Sequence, residues 1–86
     1  MAYSVEFKPA AVRDLKAIPE PDRKRIRARI DLLAANPRPQ GVKALQGGEG
    51  YLRVPGGDYR IIYTVLDRVL LVLVIRIGNR RDVCRR

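Results

Sequence analysis

Near the end of the chain, Val69-Leu70-Leu71-Val72-Leu73-Val74-Ile75 is an unbroken apolar run, and it constrains the fold more than any other feature. Crossing a bilayer as a helix takes about 20 such residues, so the run is far too short to span one. A strand with one wet face alternates polar and apolar residues. This one is apolar on both faces, which places Val69–Ile77 centrally in a sheet.

The remaining punctuation supplies the rest of that sheet. Tyr51–Val54 and Tyr59–Leu66 are rich in β-branched and aromatic residues, separated by Pro55-Gly56-Gly57-Asp58, while Asp67-Arg68 divides the second of them from the central run. At the other end Tyr3, Val5 and Phe7 alternate with Ser4 and Glu6, the period of a half-buried strand. Pro9 suits the first position of a helix whose apolar stripe is Val12, Leu15 and Ile18 with Ala11, and Pro19 ends it. Pro21 opens a second helix to about Ala35, with Ile26, Ile30 and Leu33 on its inner side and Asp22 complementing the dipole of its first turn. Asn36-Pro37-Arg38-Pro39 stops it, and Gly41–Gly50 reads as a connection. The expected order is β-α-α-β-β-β: class α+β, a helical hairpin packed on a mostly antiparallel sheet with a short basic C-terminal segment, in a single domain over 1–86.

Charge narrows the function. The 18 Lys and Arg stand against 9 Asp and Glu, a net charge of +9, and 14 of the 18 cations are arginines. Arginine grips phosphate in a bidentate fork that lysine cannot offer. A polyanion is the natural partner, nucleic acid before an acidic protein, and an acidic protein before an anionic membrane. The opening MAYSVEFKPA has no apolar run fit for a signal peptide, and the single cysteine excludes an internal disulfide, so a cytoplasmic protein is expected.

The chain has no histidine. That removes the commonest general base, the Ser–His and Cys–His dyads and most zinc sites; one cysteine builds no thiolate cage. Gly47-Gly48 and Gly56-Gly57 lack the helix and lysine of a phosphate-binding loop. No metal and no cofactor are called for, and any chemistry falls to arginine, lysine and orientation. With Gly56-Gly57 as the turn, Val54 faces Tyr59 and Arg53 faces Arg60, leaving two like charges as direct cross-strand neighbours. Such a pair destabilises a sheet unless an anion compensates. Asp58, Asp82 or Glu49 could supply it from within the chain, or a bound phosphate from outside. A second cluster, Arg76, Arg80, Arg81, Arg85 and Arg86, lies at the chain's end. Arg80 comes directly off the central strand, whereas Arg85 and Arg86 read equally as a solvated tail. The cations of the second helix, Arg23, Lys24, Arg25, Arg27 and Arg29, read as a solvated face.

The order of elements, the hairpin Tyr51-Leu52-Arg53-Val54…Gly57-Asp58-Tyr59-Arg60-Ile61-Ile62-Tyr63 and the ending Ile77-Gly78-Asn79-Arg80-Arg81-Asp82-Val83 together resemble the RelE/ParE toxins of bacterial toxin–antitoxin pairs. Met1-Ala2-Tyr3, Arg13-Asp14-Leu15 and Ile18-Pro19 extend the resemblance over nearly the whole chain. The RelE-like branch implies endoribonuclease activity on messenger RNA in the ribosomal A site. There the ribose 2′-hydroxyl attacks the adjacent phosphate to leave a 2′,3′-cyclic phosphate and a 5′-hydroxyl. By that resemblance Arg60 holds the scissile phosphate, Arg53 and Arg80 are its basic companions, and Lys43 matches a lysine just before the hairpin; with Lys43, the terminal Arg81 and Arg85 are candidates for RNA binding. A guanidinium stays protonated at working pH, so arginines suit charge stabilisation and not proton removal. The partners implied are mRNA, the ribosome and a cognate acidic antitoxin.

The ending departs from many relatives: Cys84 stands where they carry a tyrosine, Asn79 where others carry histidine, and Leu52 where some carry a second strand lysine. A thiolate at Cys84, favoured by neighbouring arginines, could replace the missing base; equally Cys84 is a small apolar residue near a chain end. Two other readings of the scaffold stay open, a ParE-like inhibitor of DNA gyrase and a toxin without activity that serves as a binding module. Exchanging Cys84→Ser separates the two roles of the thiol. Loss of RNA cleavage is expected if it takes the proton, and unchanged cleavage returns it to a packing role.

Overall fold

A computed structural model of the chain describes residues 2–45 and 50–79. The elements are β1 (Ser4–Phe7), α1 (Pro9–Ala17), α2 (Glu20–Ala35), β2 (Lys43–Ala44), β3 (Leu52–Gly56), β4 (Tyr59–Leu66), a 3-10 turn (Asp67–Val69) and β5 (Leu71–Asn79). The sheet order is β1-β5-β4-β3-β2. β1 runs parallel to β5 and the other pairs are antiparallel. The apolar run is therefore internal to the sheet, as its composition requires, and the α+β class with a helical hairpin on one side of the sheet holds.

Both helices cover one face. Ala11 and Ile18, from α1 and its end, join Ile26, Ile30 and Leu33 of α2 and Val54, Ile61, Tyr63, Val72, Val74 and Ile77 of the sheet in one buried cluster. Each large aliphatic side chain so removed from water contributes roughly 1.5–3 kcal/mol. Leu15 packs at the margin, but Val12 is exposed, contrary to the expected stripe. Ala11, Leu15 and Ile18 follow one side of the helix, and Val12, about 100° round from Ala11, looks outward.

Three boundaries differ from expectation. Gly41–Gly50 contains a short strand, β2, too brief for any periodicity to show. β5 begins at Leu71 and not Val69, because Asp67–Val69 makes a 3-10 turn and Leu70 closes it in the left-handed region at φ 52°. β5 also runs through Gly78 to Asn79, where Gly78 pairs with Arg60.

Two fastenings set the chain's path. The hydroxyl of fully buried Tyr63 donates to the Pro37 carbonyl at 2.6 Å, and burial pushes its phenol up. Asp67 accepts two hydrogen bonds from Arg38, at 3.2 and 2.9 Å, and one from the Tyr3 hydroxyl at 2.8 Å. Together they pin the Asn36–Pro39 turn against the sheet and so fix where the following residues, including β2, emerge.

β1 pairs with β5 only from Leu71 to Val74. Beyond it, Asp14 of α1 accepts the Ile77 backbone N–H at 3.0 Å and a 2.8 Å bond from the Arg76 Nε. Burial pulls the Asp14 carboxyl upward, but Arg76 and the Ile77 amide outweigh it and hold the group below its ordinary value. Asp14→Ala removes a charged acceptor from a half-buried amide and is expected to cost about 1–3 kcal/mol in urea unfolding. Because the folded group is depressed, the difference from wild type is full above the ordinary carboxylate range and disappears as pH falls through the folded value.

Candidate functional site

Alternation along β3 and β4 decides which residues face away from the helices. Val54, Ile61 and Tyr63 are buried beneath the sheet, so Arg53, Pro55, Arg60 and Ile62 stand on the opposite, open face. The expected pairing of Arg53 with Arg60 is wrong. Gly56 pairs with Tyr59, Pro55 with Arg60 and Arg53 with Ile62. The turn is Gly57-Asp58, with Gly57 at φ 65°, the two-residue arrangement that prefers glycine first. β3 therefore reaches two residues further than Val54. A two-residue turn closes on a hydrogen-bonded pair, so the next pair, Pro55–Arg60, is not hydrogen-bonded. The missing donor of Pro55 then points to the outer side of β3, past the end of β2, where a proline is tolerated.

Arg60 is consequently diagonal to Arg53, about 7–8 Å away between Cα atoms. The direct like-charge neighbour of Arg53 is Lys43, opposite it on β2. The three cations still converge: Lys43, Arg53 and Arg60 line one pocket of about 210 Å³ with Gly41 and Pro55. That is below the roughly 300–1,000 Å³ of clefts that enclose drug-sized ligands, and it suits a single anionic group. Among the described residues no carboxylate lines it, and Glu49 and Asp82 lie outside them. Ion pairs among the described residues join Lys24 to Glu20, Arg38 to Asp67 and Arg76 to Asp14, and none includes Lys43 or Arg60. Asp58, one of the carboxylates considered as a neutraliser, is not paired with Arg60 either.

Of the sequence candidates, Lys43, Arg53 and Arg60 are thus brought together. Arg76, grouped by sequence with the terminal arginines, belongs elsewhere: Asp14 holds it through Nε and the terminal NH2 group, at 2.8 and 3.3 Å. Arg80, Arg81, Cys84 and Arg85 lie outside the described residues. On α2, Arg23 donates to the Ile18 carbonyl at 3.3 Å across the helical corner, a structural duty. Gly41 and Pro55 carried no signal in the sequence, since each becomes a pocket wall only through the short β2–β3 pairing. Gly41 adopts φ 89°, which favours glycine there for its backbone and not for space.

Residues 5–83 match the family described as ParE toxin of type II toxin-antitoxin system, parDE. A curated relative from Methanocaldococcus jannaschii, named "Putative toxin RelE1", is 32% identical over 95% of this chain and 93% of its own. Among solved structures, the RelE of the archaeal RelE–RelB complex from Pyrococcus horikoshii superposes with a TM-score of 0.80 at 27% identity, covering 93% of this chain and 97% of that one. The toxin–antitoxin complex RelBE2 from Mycobacterium tuberculosis gives 0.77 at 26% identity, covering 93% and 100%.

Clustered like charges carry a cost that follows from the geometry alone. Lys43→Gln, which removes the charge directly opposite Arg53, is expected to stabilise the chain by about 0.2–1 kcal/mol at low salt. The gain should shrink toward 1 M salt as screening shortens to about 3 Å, a comparison made by urea unfolding at the two ionic strengths.

Proposed function

We propose, from the premise that this chain belongs to the ParE toxin family of type II toxin–antitoxin systems, that it is a RelE-like toxin that cuts messenger RNA on the ribosome. The observation that carries this reading is the convergence of Lys43, Arg53 and Arg60 on one small pocket.

Cleavage by the 2′-hydroxyl needs little from a protein beyond placement and charge. The O2′–P bond forms as the P–O5′ bond breaks; the 2′ proton passes to a base and the departing O5′ takes one up. Between those events the phosphorus carries an extra share of negative charge. Fixed guanidinium groups stabilise that charge without reorganising, and they hold the phosphate in line for attack. Arg60, held by its pairing with Pro55 and Gly78 in the middle of three strands, is the principal phosphate ligand. Arg53 and Lys43 complete the clamp; by the family resemblance Arg80 also binds and polarises the phosphate, and Arg81 and Arg85 bind RNA. No residue facing the pocket is a histidine, so Cys84 or the ribosome receives the 2′ proton. A ribosomal target places the chain in the cytoplasm.

A second reading keeps its footing because the matching family is the ParE one: inhibition of DNA gyrase by binding alone. The partner is the same in both. Relatives are solved as complexes of RelE with RelB, and the proposed partner of this chain is likewise a cognate antitoxin. An acidic segment folding onto the open sheet face would neutralise the cations and block RNA.

The test is in-vitro translation followed by primer extension on the message. Cuts in codon register are expected with the wild-type chain. Arg60→Ala should lower the cleavage rate by about 10²–10³-fold, the usual loss for one oxyanion donor, while the unfolding midpoint does not fall. An intact message at saturating protein, together with arrested supercoiling by gyrase, would replace this reading with the second one.

A further inference from the structure

We propose that Tyr51 is the base-stacking residue of this site, its ring supporting the nucleobase next to the phosphate held by Lys43, Arg53 and Arg60. The inference rests on the RNA-directed reading above and adds what the cations cannot supply, a grip on a base.

The chain has five aromatic residues, Tyr3, Phe7, Tyr51, Tyr59 and Tyr63. Tyr63 is fully buried, and Tyr3, Phe7 and Tyr59 pack against the core. Tyr51 alone takes no part in it and stays half-exposed. Strand alternation explains why. Leu52 pairs with Tyr63 and packs inward with Val54, so the residues on either side of Leu52, Tyr51 and Arg53, belong to the open face. The only aromatic ring on that face is therefore next to the pocket. Residues two apart on a strand are separated by about 6.6–6.8 Å, which puts the ring one step along β3 from a pocket arginine.

Its surroundings suit a base. The Tyr51 carbonyl accepts the Leu45 N–H at 2.9 Å, so β2 holds the backbone. The β2–β3 and β3–β4 registers, continued by one residue, set Leu45 and Thr64 on either side of Tyr51. The Thr64 hydroxyl is already turned to the Gly50 carbonyl at 3.4 Å. Neither neighbour is a carboxylate that would repel RNA. Unpaired bases are commonly bound by stacking on an aromatic ring beside a basic track, and such stacking tolerates any base because each has a π-face. Tyr51 accordingly positions the strand and does not choose a sequence.

A short single-stranded RNA carrying 2-aminopurine, whose emission falls on stacking, reads this out with the full chain. Wild type, Tyr51→Phe and Tyr51→Trp are expected to quench the probe alike. Tyr51→Ala should lose the quenching and bind about 5- to 100-fold more weakly, with an unchanged circular dichroism spectrum. In the translation assay the same variant should raise KM more than it lowers kcat. Three outcomes overturn the proposal: no quenching by wild type, wild-type quenching by Tyr51→Ala, or a Tyr51→Phe chain that fails like alanine, which would assign the role to the hydroxyl. Uncut messages with quenching that still depends on Tyr51 would remove the nuclease reading and leave the stacking site standing. Cut messages with quenching indifferent to Tyr51 would do the reverse.

Discussion

The burial of Val54, Ile61 and Tyr63 between sheet and helices is the constraint from which the rest follows. Side chains on a strand alternate, so committing those three to the core commits Arg53 and Arg60 to the other face. A slip of one residue would put guanidinium groups under α2 and is excluded by the cost of burying them unpaired. The same tyrosine reaches further. Its hydroxyl holds the Pro37 carbonyl, and the chain leaving that turn becomes β2, which delivers Lys43 to the edge of the pocket. Core packing and site assembly are thus one event.

The ion pairs show where the molecule uses opposite charges to join its elements. Asp67 meets Arg38 near the β4–β5 turn, and Asp14 meets Arg76 beside α1. Both pairs tie separate elements together, and none of their residues lines the pocket. Exposed pairs of this kind add little stability individually; they matter as locators. At the pocket the cations face one another across β2, β3 and β4. Gathering like charge on a small scaffold weakens it slightly and attracts polyanions.

Much of this was legible in the sequence. The apolar run marked the internal strand, and prolines at 9, 19 and 21 marked both helices. The identities of Lys43, Arg53 and Arg60 were also readable, although not their arrangement. That depended on whether Gly56-Gly57 or Gly57-Asp58 formed the turn, and both are good two-residue turn sequences; the choice shifts every cross-strand pair. β2 escaped because two residues carry no periodicity, and with it went the Lys43–Arg53 pairing. The left-handed Leu70 gave no warning, since an aliphatic residue at positive φ contradicts local preference and is held by the surrounding turn. Asp14 was noticed only as part of a resemblance. Its contact with an amide 63 positions away is a tertiary fact with no local signature.

The shortness of β1 has a consequence for solubility. Among the described residues the outer border of β5 has no neighbouring strand past Val74, and an unpaired border is a template on which a second molecule can assemble its own strand and start a polymer. The Asp14 carboxylate occupies that border by taking the Ile77 amide, and it brings a buried-side negative charge to a place where an incoming backbone would need a carbonyl. A side chain from a helix thereby stands in for a missing strand and guards the protein against self-association through that border.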